Sequence, residues 1–361
     1  MTTDLLVVGG GPVGLVTALE GRRAGLEVTV IEPRPAPIDK ACGQGIMPAG
    51  VGHLCELGVE PHGAELTGIT YVCGDRRVTA TFRQGTGLGV RRTELHAALV
   101  AAADRAGVQI VRDTVGSLTS HGSRVVVTTR SGRELTASYA VGADGLHSRV
   151  RRFVSSRVMA PKRMRRFGFV THLSGPTHTG PPHTECVQVH WGGTGEVYLT
   201  PLPEGRTGVA ILARAGADPF EVLAVCPEIA KQVLAGGADP LRGAGPFLQV
   251  PTRRVRDRVL LVGDAAGYVD ALTGEGLSVG FAQAGAAVRA IVTGDLRSYE
   301  RAWWRASALP LGLAAGLVTV TAAPAVRRRI VPAAAALPSV FGSIVGVVAG
   351  VADAPAPLVA R

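Results

Sequence analysis

The chain has 361 residues, of which 46% are hydrophobic and 18% charged. That composition excludes a disordered chain and supplies enough apolar mass for one composite fold or two domains. The formal net charge of +10 raises nucleic acid as a partner, and the 4% of aromatic residues argues against it, because strands are gripped by stacking on exposed rings.

In chain order, the first predicted element is a buried strand, Asp4 to Val8. It starts close to Met1 with no basic lead and no small-residue cleavage site, so it is not expected to be a signal peptide. Gly9-Gly10-Gly11-Pro12-Val13-Gly14 then opens a helix to about Ala24, and Val28 to Ile31 reads as a second strand closed by Glu32. Residues 91–106 carry apolar positions at helical spacing and stop at Gly107. Short alternating strands follow through 108–129 and 134–143. Between 160 and 250 the texture changes: Phe167 to Leu173, Cys186 to Trp191, Glu196 to Thr200 and Thr207 to Ala213 predict an antiparallel meander. A buried strand returns at 258–263, and Thr273-Gly-Glu-Gly276 opens a long helix to about Val292. The expected fold is therefore α/β: a Rossmann-like unit (1–160), an antiparallel insertion (161–252), a return segment (253–300) and an apolar helical end (301–361).

Gly9, Gly11 and Gly14, with Pro12 and Val13 between them, match the dinucleotide fingerprint after a strand and before a helix. The glycines serve a tight turn, backbone approach to a pyrophosphate and close helix–strand packing. Glu32 stands where a carboxylate accepts from ribose hydroxyls and repels a 2′-phosphate. Asp264, after Gly263 at a strand's end, suits a sugar or ribityl hydroxyl, or else caps a helix. The five cysteines have an odd count and no CxxC spacing, so they read as intracellular thiols and form neither a disulfide framework nor a metal site.

These motifs, with Arg92-x-x-Leu95, Asp144-Gly145-x-x-Ser148-x-x-Arg151, Gly263-Asp264-Ala-Ala-Gly267 and Gly274-Glu-Gly276, occur in the order found in a known superfamily. The chain resembles the FAD-dependent oxidoreductases of the para-hydroxybenzoate hydroxylase fold. The resemblance implies that Gly9, Gly11, Gly14 and Glu32 hold the ADP half of FAD and that Arg92 contacts its pyrophosphate or ribityl region. It also implies a role for Asp144 toward FAD and reduced nicotinamide, with Ser148 and Arg151 supporting its loop. Asp264 would reach the ribityl chain, and Gly274, Gly276 and Leu277 would pass beneath the isoalloxazine. Two features depart from simple aromatic hydroxylases: Gly267 stands where they have histidine, and Lys40-Ala-Cys42-Gly-Gln-Gly45 is similar to a segment of the geranylgeranyl reductase branch. The WxWxIP motif of flavin halogenases is absent, since Trp303 and Trp304 are adjacent.

No spacing compels a general acid–base pair, so no catalytic residue is assigned. Cys42, His190 and Tyr198, and with them His172, are candidates for substrate contact, each with a purely structural alternative. The expected activity is an FAD-dependent monooxygenase using reduced nicotinamide, NAD(P)H, and oxygen on a hydrophobic phenolic, polyketide or isoprenoid substrate. The alternatives are a reductase of prenyl double bonds and a non-catalytic isoprenoid carrier.

Arginines cluster at 149–152, 162–166, 253–258 and 327–329, beside cofactor motifs in a chain where aromatics are scarce. They are expected to be mostly solvated, with no nucleic-acid partner. The charge-free stretches Ala306 to Val326 and Ile330 to Ala352 are each long enough to span a bilayer but are broken by proline and glycine. Packed helices are expected first, peripheral membrane contact next and spanning last, on a protein otherwise expected in the cytoplasm.

Overall fold

The computed structural model describes residues 2–159, 165–174 and 185–348. At its centre lies β1 (Thr2–Val8), whose Leu5, Leu6, Val7 and Val8 are all buried. Such an unbroken apolar run belongs in a parallel sheet covered on both faces. β1 pairs in parallel with β2 (Val28–Ile31) on one side and with Glu134–Gly142 on the other, in the register Leu5↔Val28 and Val8↔Gly142. Gln109–Val111 extends the sheet beyond β2, and Val259–Leu261 extends it beyond Glu134–Gly142. An antiparallel pair, Val115–His121 and Arg124–Thr129, is attached to Glu134–Gly142. Helix α1 (Pro12–Arg23) starts with proline at its first position, where no amide hydrogen is needed, and the chain leaves it through Gly25 at φ +83°.

The meander strands form as Arg166–Leu173, Cys186–Trp191, Gly195–Pro201 and Thr207–Arg214. Their sheet also takes in Gly68–Cys73 and Arg76–Thr81, through a parallel pair between Cys186–Trp191 and Gly68–Cys73. A division at residue 160, which itself lies outside the described residues, therefore does not separate the two sheets. Cys186–Trp191 is buried along its whole length and cannot serve as an edge, so it needs this second neighbour.

The end of the chain folds as Leu296–Val320, Pro324–Arg327, Ile330–Ala336 and Pro338–Val348. The first of these crosses the boundary expected at 300. Among the described residues no single helix is long and apolar enough to cross a membrane, and the turn from Leu296–Val320 into the next pair bends by 116°. Residues 349–352 of the second apolar stretch, and 162–164 of one arginine cluster, lie outside the described residues.

Among the described residues, each arginine cluster sends one guanidinium inside: Arg151, Arg166, Arg254 and Arg327 are all buried. Arg166 and Arg327 both donate to the fully buried carboxylate of Glu196, one to each oxygen. Arg166 also approaches Asp270 Oδ1 at 3.4 Å. Burial raises the Asp270 carboxyl to about 6 although Arg166 pulls the other way. Arg254 lies 3.7 Å above the ring of buried Trp303 and pairs with Glu300 at 3.4 Å. The cluster on Glu196 thus fastens the tail to the second sheet. Glu196→Gln leaves two buried cations on a neutral amide and should cost about 3–5 kcal/mol, read from urea unfolding at neutral pH. Arg328→Gln, at the neighbouring exposed position, should stay within about 0.5 kcal/mol of the parent.

Candidate functional site

A cavity of about 570 Å³ opens where the carboxyl ends of β1, β2 and Glu134–Gly142 meet the inner face of the second sheet. This is the crevice in which open parallel sheets bind ligands. Of the thirteen residues expected to hold cofactor, all but Gly14 line it. Gly14 instead packs helix on strand, since a Cβ there would lie 1.9 Å from Gly9 O. Gly9 has φ +107°, and a Cβ on it would lie 2.5 Å from Ala143 O. Gly11 differs: an added Cβ would meet only Arg92 Nη2, at 3.6 Å, so its face is open toward the cavity.

Glu32 is buried at the end of β2. It accepts from Gly10 N (2.9 Å), Arg34 N (3.1 Å) and Arg34 Nε (2.8 Å), with Arg34 Nη2 at 3.2 Å. Burial raises its carboxyl, but these donors outweigh burial and hold it below the usual carboxylate value. All four of its acceptor directions are filled, so a ribose hydroxyl must displace Arg34. The Arg34 side chain is 53% exposed and can swing into solvent, while the Glu32 carboxylate is 4% exposed and needs the incoming hydroxyl as a replacement donor. His96, from the Arg92–Arg105 helix, is buried and donates from Nε2 to Gly10 O at 2.8 Å, which fixes its tautomer and the glycine turn.

Asp144 accepts from Ser148 Oγ, Arg149 N (2.6 Å) and Val150 N (3.2 Å), so it caps the short helix Val150–Val154 from the cavity wall. Arg151 donates to Leu146 O (3.1 Å), Asp264 O (2.7 Å) and Ala265 O (2.9 Å). One guanidinium therefore holds the Asp144 loop against the Gly263–Ala265 turn. Asp264 lines the cavity, and it follows Gly263, whose N–H donates to Gln283 Oε1 at 2.7 Å.

Gly274, Gly276 and Leu277 line the cavity at the start of the Gly276–Val292 helix. Between them Glu275 is buried and its Oε2 has no hydrogen-bond partner. Burial lifts this carboxyl to about 8 against a hydrogen bond from Thr273. Cys42 is half-buried and also lines the cavity, so it is not a core cysteine. Its loop is held by Thr200 Oγ1 donating to Gly43 O (3.1 Å) and by the Gln44 amide on His172 Nε2. His172 stands behind Gln44 and off the cavity, with Nδ1 on Asp239 Oδ2 at 3.1 Å.

Tyr198 lines the cavity and donates to Leu272 O at 2.7 Å, which commits its proton. His190 does not line it: Val187 and Val189 face inward, so strand alternation turns His190 and Gln188 to the other side. Burial, aided by Arg77, lowers the His190 imidazole to about 4. Sequence reasoning missed Arg34, Gln44, Tyr71, His96 and Tyr268, and assigned Glu275 no role. Glu275 and Gln44 stood inside motifs already recognised, whereas Tyr71 lies in a segment with no distinctive pattern.

These residues fit FAD. The open cradle at Gly11 and the uncapped start of α1 offer backbone donors to a pyrophosphate, with Arg92 beside them. A second helix N-terminus, at Gly276, faces the same cavity. Gly11→Val should fill the cradle, weaken FAD binding by about tenfold or more, and leave apoprotein melting unchanged, as flavin titration and calorimetry would read. Glu275→Gln tests the buried carboxyl. Because folding raises its value from 4.5 to about 8, the folded state holds a proton there that the unfolded state has lost, and parent stability falls as pH rises through that window. The variant's stability relative to the parent should grow between those limits and level off above pH 8 in apoprotein melts.

Residues 2–208 match the FAD binding domain family. The menaquinone reductase of Mycolicibacterium smegmatis is 26% identical over 83% of this chain and 79% of its own. Digeranylgeranylglycerophospholipid reductase 2 of Methanosphaera stadtmanae is 28% identical over 76% and 74%. The rifampicin monooxygenase of Rhodococcus hoagii is 27% identical over 77% of this chain and 61% of its own. Among solved structures, the flavin-dependent brominase Bmp2 superposes with a TM-score of 0.80 over 97% of this chain and 94% of its own, at 15% identity, which speaks for the fold alone. With its family matched over more than half its length and the glycine cradle, acidic strand end and second helix N-terminus around one cavity, the chain belongs to the FAD binding domain family of FAD-dependent oxidoreductases.

Proposed function

We propose that this protein is an FAD-dependent reductase that saturates carbon–carbon double bonds in a long prenyl-type lipid, with reduced nicotinamide as the electron source. One observation carries the reading: the cavity has a charged half and an uncharged half. Every charged side chain that lines it comes from the FAD-binding part, between Glu32 and Arg149 or at Asp264. Every lining residue from the second sheet and the tail is uncharged, including Val187, Leu212, Leu313, Leu317 and Val345. An apolar chain gains roughly 0.8 kcal/mol for each methylene it buries there, while a charged substrate would meet no partner.

FAD, when bound and reduced by the nicotinamide, would supply both electrons and both hydrogens that add across the double bond. The protein's part is placement. The glycine turn and Arg92 take the pyrophosphate end, and the Arg151-braced turn keeps Asp264 at the sugar side. The second sheet and tail exclude water from the reacting end. Tyr71, raised to about 12 by burial with a contribution from Glu196, stays neutral on that wall.

The reductase relatives also favour this reading, because the chain spans about three quarters or more of their lengths but only 61% of the rifampicin monooxygenase. Oxygen transfer is the second reading, supported by the similarity to that monooxygenase. Purified flavoprotein should be mixed with reduced nicotinamide and a geranylgeranyl-bearing lipid, under nitrogen and in air. A product heavier by two hydrogens in both atmospheres is expected. A product heavier by one oxygen, formed only in air, would establish the monooxygenase instead, and a protein without flavin or turnover would leave only the carrier.

A further inference from the structure

The last described helix, Pro338–Val348, is apolar on two faces. Phe341 and Val345 point inward and are buried: Phe341 packs on Tyr71 with ring centroids 4.8 Å apart, and Val345 lines the cavity. Val340 and Ile344, one turn apart on the helix, are 52% and 39% exposed, and Leu337, just before its first residue, is 57% exposed. Together they leave an apolar stripe turned outward. No side chain from 330 to 348 is charged, and Val320 and Val326, earlier in the tail, are exposed as well. A helix that met only water on that side would carry polar residues there.

Ile344 belongs to both surfaces, since it is exposed and also lines the cavity. Leu313 and Leu317 of the Leu296–Val320 helix line the same cavity. The uncharged half of the cavity therefore reaches the outside in a seam at Ile344. Just before the stripe in sequence, Arg328 and Arg329 are exposed, while Arg327 is anchored on Glu196.

We propose that this face docks on the surface of an anionic lipid bilayer, and, resting on the lipid-substrate reading above, that the seam at Ile344 is where substrate passes between bilayer and cavity. Charge selects this occupant. Two exposed arginines beside an apolar stripe, on a chain of net charge +10, are attracted to anionic headgroups. The same charge opposes a second copy of the chain placed against the same face. Docking in the interface plane needs no spanning segment. Among the described residues no single helix is long and apolar enough to cross, and the pair Leu296–Val320 and Ala325–Ala336 that together would be is bent by 116°.

The test uses the full-length, FAD-loaded protein and sedimentation with phosphatidylcholine vesicles, with and without phosphatidylglycerol. Binding to the anionic vesicles, weakened by salt, is expected. Leu337→Gln with Val340→Gln should weaken it by about tenfold or more. Arg328→Gln with Arg329→Gln should weaken it by roughly twenty-fivefold, or about fivefold for each basic residue. Both double variants should keep their FAD content and their turnover of a short, water-soluble prenyl substrate. No vesicle binding by the parent protein would overturn the proposal, and so would undiminished binding by Leu337→Gln with Val340→Gln. A concentration-dependent dimer that this variant dissolves, without vesicle binding, would assign the face to a second copy and likewise overturn it. Vesicle binding that responds to the variants in a flavoprotein unable to reduce prenyl lipids would uphold the docking surface and remove the substrate reading alone.

Discussion

An arginine cannot shed its proton inside a protein, so each buried guanidinium has to be met by acceptors where it lies. Four such groups set the mutual positions of the cavity walls. Arg151 draws together the carbonyls of Leu146 and Asp264, joining two motifs that are far apart in sequence. Arg166 and Arg327 meet on Glu196 and hold the tail against the second sheet. Arg254, flat on Trp303, seats the Leu296–Val320 helix beside the return strand. Each contact is made by a group that desolvation would penalise heavily if its partner moved, so the arrangement has little freedom to drift.

The cavity those contacts define is electrically graded. At the FAD-binding end, donors outnumber what the protein itself consumes: α1 begins uncapped, and Arg92 has its Nε buried without a partner. Farther in, burial keeps the phenols of Tyr71, Tyr198 and Tyr268 neutral by raising them above their usual value. Glu275 lies beside the loop that joins the two regions. With its carboxyl lifted to about 8, it is uncharged at neutral pH and leaves the positive end of the Gly276–Val292 helix uncancelled toward the cavity. A site of this kind can hold an anionic cofactor at one end and a wholly apolar chain at the other.

How much of this is legible in the sequence follows from how local each signal is. β1, α1, β2 and the Arg92–Arg105 helix are readable because an apolar run, a glycine turn or a helical period lies within a dozen residues. The place of Gly68–Thr81 in the second sheet is not, since strand pairing over more than a hundred residues leaves no local mark. Nor can the sequence tell Arg327 from Arg328, because three adjacent arginines look alike until one finds a buried carboxylate. His190 is a different case. The run Cys186-Val-Gln-Val-His-Trp191 alternates, and that period alone groups His190 with Gln188 and opposite Val187 and Val189; which of the two faces meets the cavity is decided by the sheet's packing.

The tail shows the same limit on a larger scale. Composition makes its two charge-free stretches look long enough to span, because hydropathy sums residues without asking where a helix must stop. Pro324 and Pro338 stand at the first positions of new helices, and the bend after Val320 turns the chain back on itself. The arginine triplet between the stretches adds a fixed point. In a bilayer Arg327 would need an anionic partner carried into the hydrocarbon, whereas on the second sheet it finds Glu196 already buried and shared with Arg166. The described part of the tail thereby covers the cavity, with Phe341 and Val345 turned in on the core and Val340 left outward.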